Sequence, residues 1–124
     1  MVVTNLLGVA FTATLMSVSD AGPTFVFPED GATNTLTWSQ LSPASYRMVC
    51  AAAKFTPVPP ALRSVYRMAE VELARLAALE ADGRLAPDEA ARRRVRLQNA
   101  FRKACRKRGL SAAEIESLLR RLAT

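Results

Sequence analysis

The sequence predicts an α+β fold: a three-stranded antiparallel β-meander over residues 1–41, packed with about four α-helices over 42–124 that include a helical hairpin. Three observations predict it. Early in the chain, apolar and polar side chains alternate with the period of two of half-buried strands. From Ser42 onward the apolar residues recur every three or four positions, the period of a helix with one packed face. Between these runs stand turn and cap residues, among them Gly22-Pro23, Gly31, Gly83 and Gly109. The 124 residues, half of them hydrophobic, suit one domain with its own core, with residues 56–60 as a proline-rich connector.

The elements follow in order. Val9, Phe11, Ala13 and Leu15 alternate with Ala10, Thr12, Thr14 and Met16, which predicts the first strand. Ser19-Asp20-Ala21-Gly22-Pro23 is turn chemistry, and Thr24–Phe27 is a short second strand with two aromatics on one face. Pro28-Glu29-Asp30-Gly31 predicts a type I turn with a glycine bulge. Thr33–Trp38 is then the third strand, with Leu36 and Trp38 on one face and three threonines on the other. Such a sheet needs a helix over its apolar face.

Ser42 followed by Pro43 marks a helix start, an N-cap and a first-turn proline, for a helix to about Lys54. Thr56-Pro57-Val58-Pro59-Pro60 excludes helix, because each proline denies the preceding residue the α conformation, and reads as a stiff hinge. The next helix runs from Pro60 to about Ala81. Leu62, Val65, Tyr66, Ala69, Leu73, Leu76 and Glu80 form its stripe, widened by Met68, Val71 and Leu79. Gly83 ends it in a left-handed cap. Pro87 with Asp88 and Glu89 opens a helix to Arg108, and Gly109 closes it. Ser111-Ala112-Ala113-Glu114 is a capping box for a last helix with an apolar face of Ile115, Leu118, Leu119 and Leu122.

The pattern Leu73-x-x-Leu76-x-x-Leu79, Gly83-x-Leu85-x-x-Asp88-Glu89 and Leu97 resembles the short C-terminal helical-hairpin domains called SHOCT. The resemblance covers a minor part of the chain and departs from the family at Ala90, where an aromatic is usual. It implies an antiparallel helix pair about Gly83.

Charge is segregated. Through Thr56 two basic residues stand against three acidic ones, a sum of −1, and from Pro57 onward 15 stand against 8, a sum of +7. The run Arg92–Arg108 holds nine basic residues and no acid. Taken at about 100° per residue, Ala90, Leu97, Phe101, Ala104 and Cys105 form an apolar arc of about 100°. Opposite lie Arg92, Arg96, Asn99, Lys103, Arg106 and Lys107, with Arg102 at the edge of this face. Like charges at i,i+4 repel, so this face is expected to find no neutralising acid within its own helix. The candidate acids are Glu70 and Glu72 of the preceding helix and Glu114 and Glu116 of the last.

Several chemistries are excluded. Without histidine there is no Ser-His-Asp or Cys-His relay and no imidazole ligand, and two cysteines cannot build a four-thiolate zinc site. The five glycines are isolated, with no phosphate-cradling motif. Glu29-Asp30 and Asp88-Glu89 are explained as turn and helix-start residues, and Cys50, one turn from Lys54, as a structural thiol. The expectation is therefore a non-enzymatic protein without cofactor or metal.

The N-terminal stretch lacks the basic start of a signal peptide, and its apolar run is broken by Gly8, Thr12 and Thr14, well short of the ~20 residues of a membrane span. Reduced cysteines and a cytoplasmic location are expected. The basic helix also lacks the bulky apolar face that interfacial helices insert, so no membrane partner is expected. What remains is a small binding protein whose helix 87–108 contacts nucleic acid or an acidic protein surface through Arg92, Arg96, Asn99, Arg102, Lys103, Arg106 and Lys107. The alternative is a protein-interaction module (adaptor, assembly factor or inhibitor, in the manner of small phage and mobile-element accessory proteins) that accepts a partner strand at Thr33-Thr35-Thr37.

Overall fold

The computed structural model describes residues 1–123 and is α+β, with two antiparallel sheets and four α-helices. The chain divides into two compact units, Met1–Pro57 and Val58–Thr124, parted within the proline-rich stretch.

The first unit opens with β1 (Val2–Thr4) and β2 (Ala10–Thr12), paired as a two-stranded sheet with Val3 opposite Phe11. Strands β3 (Thr14–Ser19), β4 (Gly22–Val26) and β5 (Thr33–Thr35) form a meander in that spatial order. Two features differ from expectation. The alternating run from Ala10 to Ser19 is two strands in two sheets, divided at Ala13, which is buried between them in sequence. Alternation fixes which face is apolar and leaves open where pairing partners change. The third strand also stops at Thr35, because Thr37 and Gln40 form a capping box around the 3-10 turn Trp38–Gln40.

Gly22 and Gly31 make the meander's turns. Gly31 holds φ +68°, and the Asp30 carboxylate accepts the Ala32 N–H at 2.9 Å. At Gly22 a Cβ would overlap the Leu36 carbonyl, so the close approach of the two backbones requires glycine. Helix α1 (Pro43–Ala53) starts at the Ser42 cap and contacts β1 and β3. Val3, Ala13, Phe25, Leu41 and Val49 form the buried core, with Phe11, Phe27, Leu36, Trp38 and Tyr46 packed around it. Helix α1 ends at Lys54 in a left-handed conformation, the sole non-glycine residue with positive φ among those described.

The second unit is helical: α2 (Arg63–Ala81) after a 3-10 turn Pro60–Leu62, α3 (Pro87–Lys107) and α4 (Ala112–Leu122). Pro87 at the first turn of α3 and the reciprocal Ser111–Glu114 box on α4 are the start signals read from sequence. Gly83 and Gly109 take the positive φ that ends α2 and α3. Val58, Leu62, Tyr66, Ala69, Phe101, Cys105, Ile115, Leu118 and Leu119 make one core, and the Tyr66 and Phe101 rings meet edge-on at 6.1 Å. Met68 and Val71 lie outside it, 68% and 49% exposed. At about 100° per residue they fall more than a third of a turn from Tyr66, past the arc that α3 and α4 cover. No helix among the described residues is long and apolar enough to cross a membrane.

Candidate polyanion-binding face

Helix α3 packs into the second core through Phe101 and Cys105; Ala90 is also buried, and Leu97 and Ala104 are half-buried on the same stripe. This is the stripe expected from spacing, and it turns the basic residues outward. The nine cations of the run then separate by partner. Glu89, in the first turn, accepts Arg92 at 2.8 Å and Arg93 at 3.2 Å. Hydrogen bonds from Arg92 and then Arg93 hold the Glu89 carboxyl below the usual carboxylate range. Arg94 pairs with Glu80 of α2, and Arg102 donates to Glu116 of α4 at 3.1 Å.

The expectation that the helix carries no neutralising acid of its own is thereby corrected. Glu89 lies three residues before the first arginine, so a count begun at Arg92 passes over an i,i+3 and i,i+4 donor set. Of the four acids named from sequence, Glu116 is a partner of the run. Glu72 faces Arg75 at 4.0 Å, Glu114 closes the α4 capping box, and Glu70 lines a groove with Leu73 and Leu119. Glu80, assigned to the apolar stripe of α2, is the missed partner.

Arg96, Lys103, Arg106, Lys107 and Arg108 are exposed and have no acidic partner among the described residues. Arg96, Lys103 and Lys107 follow one another at i, i+7 and i+11. On an α-helix this sets them within an arc of about 40° along about 16 Å of axis. Arg106 stands about 80° to one side of Arg96. Arg106 and Lys107 also occupy the last turn, where the helix dipole favours cations, so part of the basic run has a local structural role. Asn99 is exposed, and its Oδ1 accepts from Arg102 Nη1 at 3.0 Å. Thus Arg92 and Arg102 of the expected site are ion-paired, Asn99 is tied to Arg102, and Arg96, Lys103, Arg106 and Lys107 are open.

Beside this row, Glu72, Arg75, Arg93 and Arg96 with Leu76, Leu79 and Leu97 line a cleft of about 260 Å³ between α2 and α3. In the first unit, β5 is an edge strand with all three residues exposed. Its ladder register turns the N–H and C=O groups of Thr33 and Thr35 away from β4. Thr37 lies past the strand, at the cap of the 3-10 turn. Burial raises the Cys105 thiol, which removes it from nucleophilic chemistry, and Cys50 is half-buried on α1. Comparison of the chain with protein-family models, curated proteins and solved structures returns no match. The resemblance about Gly83 therefore rests on its own residues.

Proposed function

We propose that this is a non-catalytic binding protein whose α3 face contacts a polyanion, and that the polyanion is nucleic acid. One observation carries the reading: four exposed cations on α3, and a fifth, Arg108, at its C-cap, lack acidic partners among the described residues, and three of them form a single row. An arrangement of this kind concentrates positive potential along a line and gains free energy by releasing the counterions of a phosphate backbone. The test is a gel shift at low salt with the whole chain and its Arg96→Glu/Lys103→Glu variant. The wild type binds, the variant binds at least about tenfold more weakly, and log K falls with log salt at about −0.9 per phosphate contacted, for about three to five contacts. Equal binding by the two proteins, or no binding by either, overturns the reading.

A second reading, a protein-interaction module, is favoured by the edge position of β5, whose outward backbone groups suit a partner strand. Affinity purification followed by mass spectrometry addresses it. A Thr35→Pro substitution, which removes one outward N–H, would release a partner bound there, and recovery unchanged by that substitution excludes this edge.

A further inference from the structure

We infer that the α3 face engages duplex nucleic acid through its phosphates alone, without selecting base sequence and without favouring single strands. The inference rests on the nucleic-acid reading above and specifies its substrate.

Asn99 is the one uncharged hydrogen-bonding side chain on the open face, and so the natural reader of a base edge. An asparagine reads adenine with both ends of its amide, the oxygen accepting and the nitrogen donating. Here the oxygen is occupied by Arg102, and Arg102 is fixed in turn by Glu116 of α4. The chain Glu116–Arg102–Asn99 takes the amide out of base reading and sets an acidic boundary on that side of the cationic row.

The N-terminal end of α3 is equally unsuited to groove entry. Helices that read a major groove do so with their first turns. The first turn of α3 carries Asp88 and Glu89, and its first two arginines are held by Glu89. Open cations begin at Arg96, and Arg96 shares the cleft toward α2 with Arg75. Glu72 lines the same cleft and faces Arg75 at 4.0 Å, so the open positive charge lies along α3 beyond its first turns, as a row suited to a backbone.

Stacking is absent too. The aromatic residues of the helical unit, Tyr66 and Phe101, are both buried, so no described ring of this unit is offered to an unpaired base. Single strands lose the stacking that normally holds them and present a lower charge density than a duplex.

The experiment is fluorescence anisotropy of the whole chain at fixed low salt. The probes are several labelled duplexes of about 20 base pairs with unrelated sequences, and the matching single strands. Expected are affinities within about twofold across duplexes, single strands weaker by at least about fivefold, and Asn99→Ala indistinguishable from wild type. Glu116→Gln, which removes the boundary charge and frees Arg102, binds every duplex more tightly by about threefold and steepens the salt slope. Discrimination of about tenfold or more among duplexes, or single strands bound as well as duplexes, overturns the inference. If either result occurs and Arg96→Glu/Lys103→Glu still abolishes binding, the nucleic-acid reading stands and this inference alone falls. If the double substitution changes nothing, both fall.

Discussion

The hydroxyl of Ser45, in the first turn of α1, accepts the backbone N–H of Thr4 in β1 at 2.8 Å across 41 residues of sequence. Ser42, the helix cap, donates its own N–H to the Thr4 carbonyl at 2.9 Å. The N-terminus of α1 thus closes the outer edge of β1, and Ser45 is the one buried polar side chain among the described residues. Ser45→Ala leaves the Thr4 N–H without its partner and costs about 1–2 kcal/mol. Chemical denaturation followed by emission of Trp38, the chain's one tryptophan, measures it. An unchanged midpoint would mean that water replaces the hydroxyl at no cost.

Gly22→Ala is far more damaging. The new methyl would overlap the Leu36 carbonyl, and φ +149° is closed to side chains. Since both objections concern backbone, no side-chain rotation relieves them. A loss above about 3 kcal/mol is expected, seen as a red-shifted Trp38 emission and a collapsed near-UV signal at neutral pH.

Leu118 is fully buried in the helical core beside Phe101 and Cys105. Leu118→Ala removes a branched side chain from a site enclosed by three helices and is expected to cost about 3 kcal/mol. The midpoint of the helical circular-dichroism transition reads it directly. Glu116→Gln, two residues away on the solvent side, should move the same midpoint by less than about 1 kcal/mol, since the ion pair it breaks is exposed.

Acid should loosen the start of α3. Glu89 is held below its ordinary 4.5 by the two guanidinium groups, so its contribution to stability is complete above that value. It is lost as pH falls through the lowered value of the folded chain. Thermal unfolding between about pH 5 and pH 3 should therefore show a steeper decline for wild type than for Glu89→Gln, with the gap between them closing toward the acid end. Parallel curves would mean that the arginine contacts do not persist in solution.

Local signals were legible where one short stretch of chain determines the outcome. Ser42-Pro43, Ser111 with Glu114, Gly83 and Gly109 each set a boundary through groups within a few residues, and the helices fall where those residues put them. Pairing was less legible. The β1–β2 connection is held by the Asn5 side chain, which accepts the N–H groups of Leu7 and Val9, and not by a familiar turn dipeptide. Nothing in the spacing around Ala13 announces a change of sheet. At the candidate site the outward face of α3 could be read from periodicity alone, because the buried stripe is narrow. Its charge balance could be read only in part: Glu116, which reaches Arg102 from α4, is among the acids named from sequence, whereas Glu80, which reaches Arg94 from α2, falls on the stripe assigned as apolar.

Lys54 gives the fold room to improve. It closes α1 at φ 51° and ψ 46°, a conformation that an ordinary L-residue holds at a cost of about 1 kcal/mol and that asparagine or glycine adopts more readily. Lys54→Asn or Lys54→Gly should raise the melting temperature while leaving every cation of α3 in place. The lysine marks a margin of stability that this sequence has left unclaimed.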